Sequence, residues 1–166
     1  MFKKESIFVE NAKIGGTSEV KTGKLVLYSS RLALSLSRTY KLKYKLMADE
    51  VKLLVDKVVE GIQEKKGKNT VVIDLRTIPG GICQYFVLCE GNTPTQTSAI
   101  SDSIWDFVRR DLKEKPYVMD GERNAEWIAM DYGTVIVHIF LPERRAHYDI
   151  EHLWADAKIT RVPDLD

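Results

Sequence analysis

The six residues Thr70 to Leu75, reading TVVIDL, limit the fold more than any other stretch of the chain. They are β-branched and almost continuously apolar, the pattern of a strand buried on both faces rather than one that alternates between core and water. The patterns around it narrow the choice further. Upstream, Asp49 is a candidate N-cap, and Val51, Leu54, Val55, Val58, Val59 and Ile62 then fall on the stripe of an amphipathic helix that Gly67 ends. Downstream, Thr77 to Gly81 reads as a loop, and Cys83 to Cys89 as a second strand closed by Gly91 and Asn92. Thr93-Pro94-Thr95-Gln96 places a capping Thr before a Pro at the first helical position and a Gln able to reach back. The helix it opens carries Ile100, Ile104, Phe107, Val108 and Leu112 on one stripe. After Pro116, strands are expected near Tyr117 to Met119, at Trp127 to Asp131 and at Thr134 to Leu141. A short helix from Pro142 through Arg145 follows, then Tyr148 to Trp154 and a tail containing Pro163. This order predicts an α/β fold, a single domain whose mixed β-sheet is flanked by helices, because the adjacent late strands suit an antiparallel hairpin.

A chain of 166 residues, 44% of them hydrophobic, can build one real core but not two large domains. Its longest clean apolar stretch, Thr134 to Leu141, is far short of the roughly 18 residues a membrane span needs, so a soluble protein is expected. Cys83 and Cys89 are its two cysteines, and within one strand their Cα atoms would sit about 20 Å apart, beyond disulfide reach. Free thiols are expected, which suits a reducing compartment and a cytoplasmic location. The overall charge of +1 conceals a division. Residues 1–46 hold ten Lys or Arg against Glu5, Glu10 and Glu19, a net of +7, and residues 47–166 hold 15 basic against 21 acidic residues, a net of −6. An acidic domain disfavours direct contact with a phosphate backbone and favours a basic protein partner. Residues 1–46 show no turn signals and no sustained helical period, so little stable structure is expected there. Three readings stay open for them: a segment upstream of a true start at Met47, a presequence, or a basic tail that touches RNA.

Catalytic and metal-binding patterns are mostly missing. No nucleophile elbow, dinucleotide turn or phosphate loop occurs, and Gly80-Gly81 follows Pro79 without the Lys and Ser/Thr that a phosphate cradle needs. Zinc would need Cys83 and Cys89 to find partners among His138, His147 and His152, yet there is no close Cys pair and the last two His lie off one helical face. No cofactor and no metal are expected. Asp74 is the best single catalytic candidate, since carboxylates at the carboxyl ends of parallel strands often hold a metal or substrate. Against that, Arg76 is placed to pair with it, and a lone carboxylate cannot run two-metal or acid/base chemistry.

The most informative segment is Gly121 to Trp154. If Tyr132-Gly133 is a two-residue hairpin loop, Asp131 pairs with Thr134, Ala129 with Ile136 and Trp127 with His138. These residues then share one face, with Phe140 beyond them, while Ile128, Met130, Val135, Val137 and Ile139 form an apolar face for the helices. The first face is too apolar for plain solvent and too polar at its rim for an ordinary core. Either the closing helix covers it, or it is an exposed protein-binding patch. In the second case Trp127 is the anchor, Ala129, Ile136, His138 and Phe140 make up the patch, and Asp131, Tyr132, Tyr148 and Asp149 form its rim. A homodimer built through Trp127, Ile136 and Phe140 is a further arrangement of the same face.

The same segment resembles the Iojap or ribosomal silencing factor family. Glu126-Trp127, Asp131-Tyr132-Gly133, Val137-His138-Ile139-Phe140, Pro142-Glu143, Tyr148-Asp149 and Leu153-Trp154 follow in the family's order and spacing. Asp74-Leu75, Tyr85-Phe86-Val87 and Gly91-Asn92 match upstream, and the resemblance covers residues 47–166. It implies a fold similar to nucleotidyltransferases without their catalytic residues. The implied partner is the large ribosomal subunit, met through the basic ribosomal protein numbered fourteen; the acidic charge of the domain adds the expectation of little direct ribosomal RNA contact, and the short apolar stretches that of no membrane. The implied action is to block subunit association and so repress translation. The absence of any Gly-Ser pair, and Arg76 standing where a second metal-binding acid would, agree with inactivity. The rival reading is a small nucleotide-binding or nucleotidyltransferase-like enzyme built around Asp74, Arg76 and the Thr77 to Gly81 loop.

Overall fold

The computed structural model of the chain describes residues 22–165, with side chains from Thr39 onward. The chain divides into two compact units, Met1–Tyr44 and Lys45–Asp166, and the second contains the whole sheet. Helix α1 spans Thr22–Glu64. Residues 22–46 are thus helical where the sequence pattern leads one to expect little stable structure over residues 1–46, and residues 1–21 lie outside the described residues. The reason is local: no proline, and no glycine between Gly23 and Gly61, stands in the way of helical propagation. Asp49 is accordingly an exposed residue inside α1 and not its cap. At the other end, Gly67 N–H donates to Ile62 O at 3.0 Å and Lys66 N–H to Gln63 O at 2.9 Å, so the left-handed residue of the C-terminal motif is Lys66 (φ 54°) and Gly67 follows it.

In the second unit the sheet comprises β1 (Lys68–Asp74), β2 (Tyr85–Glu90), β3 (Val118–Asp120), β4 (Trp127–Asp131), β5 (Val135–Phe140) and β6 (Lys158–Arg161), in the order β3-β4-β5-β2-β1-β6. The pair β2–β5 is parallel and the others are antiparallel, giving the mixed sheet expected from the sequence. Helix α2 (Pro94–Leu112) connects β2 to β3, and two short helices, α3 (Pro142–Tyr148) and α4 (Ile150–Leu153), connect β5 to β6. Strand β6 lies where an irregular tail was expected. Its four residues are all exposed, and it is held by pairing with the edge of β1.

The apolar stripe of α1 (Val51, Leu54, Val55, Val58, Ile62) and that of α2 (Ile100, Ile104, Val108) pack on one sheet face against Val87, Cys89, Ile128, Met130, Val135, Val137 and Ile139. At about 1.5 to 3 kcal/mol per buried aliphatic side chain, this layer is the main source of stability. The helices approach so closely at Gly61 that a Cβ there would lie 2.7 Å from the Ile104 Cα. Their ends are tied by one side chain. Thr93 caps α2 by accepting from Gln96 N–H at 3.2 Å, and Gln96 Oε1 accepts from Asn92 N–H at 2.8 Å, one residue before the cap. Gln96 Nε2 then donates to the carbonyls of Lys65 and Lys66, 3.1 and 3.2 Å away, at the end of α1.

The hairpin register differs from expectation by two residues. Asp131 pairs with Ile136, Ala129 with His138 and Trp127 with Phe140. Tyr132 N–H donates to Val135 O at 2.9 Å, so the turn residues are Gly133, at φ 79°, and Thr134, one position later than the expected Tyr132-Gly133. Moving a turn by one residue moves the pairing by two, and an even shift keeps every side chain on its face.

Candidate partner-binding site

The sheet face away from α1 and α2 has its own core of Val71, Ile73, Leu75, Phe86, Leu88, Phe140 and Ala157, with Trp127, Ile136, Ile150 and Trp154 partly buried against it. Near β1 and β2 this face is closed by the C-terminal segment, Trp154 meeting Phe86 edge-on at 5.8 Å. Over β4 and β5 the cover is thinner, and rings reach the surface. Trp127 stacks on Phe140 (5.2 Å, 22°) and meets Tyr148 of α3 at 4.5 Å, with Tyr148 42% exposed. The Trp127 indole N–H donates to His138 Nδ1 at 3.2 Å.

The nine expected site residues divide by depth. Trp127, Ala129, Asp131 and Ile136 are half-buried, and Tyr148 and Asp149 are exposed, so these six reach the protein surface. Phe140 is fully buried and His138 nearly so, and they support that surface from beneath. Burial pushes the His138 imidazole down to a pKa of about 4, so it is neutral near pH 7. Tyr132 corrects the expectation of a rim residue: it is 4% exposed and packs in the helix-side core with Ile128 and Met130. Being one position before the turn, it continues the alternation of β4 and points where the even-numbered residues point.

The rim is acidic, and most of its acids have partners within the fold. Asp131 accepts from Gly133 N–H at 2.6 Å, and Asp149, the left-handed C-cap of α3 (φ 45°), lies 2.5 Å from His152 Nδ1 and raises the His152 pKa. Beside Trp127 and Tyr148 is an open groove of about 350 Å³ that also takes in Asp120, Asn124, Glu126 and Arg144. Arg144 pairs with Glu126 across it at 2.5 Å.

Arg145, to which the sequence pattern assigns no role, fastens α3 to the sheet. The residue is 7% exposed, and its guanidinium pairs with Glu151 at 2.6 Å and Glu90 at 3.2 Å and donates to Asn69 O at 2.7 Å. That carbonyl is available because β1 is irregular at Asn69, whose φ is 51° and whose side chain donates to Glu90 at 2.7 Å. Glu90, Asn69 and Glu151 lie far apart in sequence, which gave no local signal for the cluster.

At the rival site, Asp74 is engaged by its neighbour Arg76. Arg76 donates to both Asp74 oxygens at 2.9 and 2.6 Å, and this hydrogen bonding holds the carboxyl below its usual pKa. Strand β1 is antiparallel to both neighbours, so Asp74 is not at the carboxyl end of a parallel pair. Both cysteines are free, and burial raises the Cys83 thiol to about 11 and the Cys89 thiol as well, leaving neither a ready nucleophile. Among the described residues, no three His, Cys, Asp or Glu side chains converge as a metal-holding group, and no helix is long and apolar enough to cross a membrane.

Three comparisons bear on this arrangement besides the family model. The chain is 33% identical over 104 residues to the ribosomal silencing factor RsfS of Bacillus subtilis, covering 62% of this chain and 83% of that protein. It is 25% identical over 104 residues to the mouse mitochondrial assembly of ribosomal large subunit protein 1, covering 60% of this chain and 44% of the mouse protein. A crystal structure of a Chromobacterium violaceum protein superimposes with a TM-score of 0.59 at 25% identity, over 68% of this chain and 92% of that one. The model of the family described as ribosomal silencing factor during starvation matches residues 48–166, a span that takes in the sheet, α2, the short helices and the aromatic surface, and the chain belongs to that family.

Proposed function

We propose that this chain binds the large ribosomal subunit through a basic ribosomal protein, the one numbered fourteen, and by occupying that surface blocks association with the small subunit and represses translation. The observation that carries the reading is the half-exposed aromatic cluster of Trp127 and Tyr148, with Trp127 stacked on the buried Phe140 and the acids Asp131 and Asp149 at the surface of the same region. Such anchors on a preformed support are what a protein interface uses for most of its binding energy. The net charge of −6 over residues 47–166 supports a basic protein as the partner and disfavours extensive contact with ribosomal RNA. Family membership supports a ribosomal partner, and the name of the mouse relative points to the large subunit.

The mechanism needs no turnover. A domain seated on the joining surface of one subunit excludes the other by volume, so the inhibition follows occupancy. With Asp74 held by Arg76, a non-enzymatic role suits the geometry better than nucleotide chemistry. Action on assembled cytoplasmic subunits is the simplest setting for this competition. The test is cosedimentation of the full chain with separated subunits. Pelleting with large subunits and not with small ones is expected, and equal pelleting with both, or with neither, would overturn the proposal.

A further inference from the structure

The Trp127 indole has one hydrogen-bond donor, and it points into the protein. His138 stands opposite Ala129 in the hairpin, two residues along β4 from Trp127 and on the same face. The small Ala129 side chain leaves room for the indole to lean across diagonally, and its Nε1 reaches His138 Nδ1 at 3.2 Å. The imidazole is itself fixed, edge-on to Phe86 at 5.2 Å and stacked with Phe140 at 5.9 Å, and Phe140 also supports the indole from below. An indole N–H is a donor only, so the acceptor must be an unprotonated ring nitrogen, and the contact sets the His138 tautomer with its proton on Nε2.

We propose that His138 is the positioning residue of the binding surface: it takes the Trp127 indole N–H as an internal hydrogen bond and so fixes the ring to present carbon surface, not a donor, to the partner. This rests on the proposed function for the identity of the surface, and it adds the chemistry by which the surface is read. A partner that meets Trp127 must then supply apolar or cationic groups suited to a ring face and edge, because a hydrogen-bond acceptor offered to the indole would find its donor already engaged. Burial keeps the imidazole neutral, so the acceptor is present near pH 7.

The first test needs no variant. In the uniformly 15N-labelled full chain, a scalar coupling across the hydrogen bond should link Trp127 Nε1 to His138 Nδ1, with the indole assigned by the Trp127→Phe spectrum. Absence of that coupling, with a fast-exchanging indole proton, would overturn the assignment. The second test compares His138→Leu, which fills space without accepting, with His138→Gln, which can accept through its amide oxygen. His138→Leu should move the indole N–H resonance and weaken cosedimentation with large subunits by about ten-fold, the upper range for one net hydrogen bond, and His138→Gln should restore most of both. If His138→Leu does not fold, the coupling in the wild-type chain and the affinity of His138→Gln still decide. A folded His138→Leu chain that binds as tightly as the wild type would overturn the positioning role alone, whereas a wild-type chain that ignores large subunits would overturn the proposed function and leave the coupling to judge the hydrogen bond.

Discussion

Replacing Trp127 by Ala removes a ring that does two jobs, and the structure sets the share of each. A fully buried Trp cut to Ala costs about 3 to 5 kcal/mol through lost transfer energy and the cavity left behind. Trp127 is half-buried, with Phe140 beneath it and Tyr148 and His138 at its sides, so part of its surface already faces water and the void opens outward. A stability loss of about 2 kcal/mol follows, roughly half the buried figure, measured as a lower urea midpoint at unchanged slope. The exposed remainder of the ring is the proposed anchor, and its loss should weaken binding to large subunits by about 2 kcal/mol, near thirty-fold. Urea denaturation and quantitative cosedimentation on the same preparation separate the two effects. A folded Trp127→Ala chain with unchanged affinity and a stability loss of about 4 kcal/mol would show the ring to be core and refute the reasoning.

Other expected outcomes follow from the network beneath the surface. Arg145→Met should cost about 3 kcal/mol in chemical denaturation, because it leaves the Glu90 and Glu151 carboxylates crowded with no cation between them; a loss below about 1 kcal/mol would show the cluster to be solvated. Because the folded pKa of His138 is depressed to about 4 from 6.5, the unfolded chain takes up its proton first as the medium is acidified. Stability should therefore be full above pH 6.5 and decline toward pH 4, and His138→Gln should flatten that window in pH-dependent denaturation. The carboxyl of Asp74 is also depressed, so its contribution is present above 3.8 and lost only as pH falls through its lower folded value. Asp74→Asn should leave subunit binding unchanged at neutral pH, and a folded Asp74→Asn chain that no longer inhibits would revive the enzymatic reading.

The parts legible in the sequence were those fixed by periodicity. The stripes of α1 and α2, the buried β1 and the two faces of the hairpin all follow from the spacing of apolar residues, and the faces survived a register error because a shift of two preserves parity. The turn itself was misplaced because Tyr132-Gly133 and Gly133-Thr134 both offer a glycine, and backbone hydrogen bonding chose the second. That choice carried Tyr132 into the core. Depth on the site face was not legible either, because Phe140 and His138 are buried by Phe86 and the segment after α3 as well as by their hairpin neighbour Trp127, and the first two are brought from outside the hairpin. Strand β6 carried no pattern to find, since all four of its residues are exposed and its pairing uses only the backbone. Arg145 was invisible for a related reason: its burial depends on carboxylates and a carbonyl brought from β1, β2 and α4.

The central claim is competition between this chain and the small subunit for one surface of the large subunit. Its most direct measurement is the fraction of joined ribosomes formed from purified subunits as the chain is titrated, resolved by sucrose-gradient sedimentation. Joined ribosomes should fall as the chain fills large subunits, with inhibition tracking occupancy and the Trp127→Ala chain needing about thirty-fold more protein for the same effect. Large subunits that carry the chain and still join small subunits normally would contradict the account.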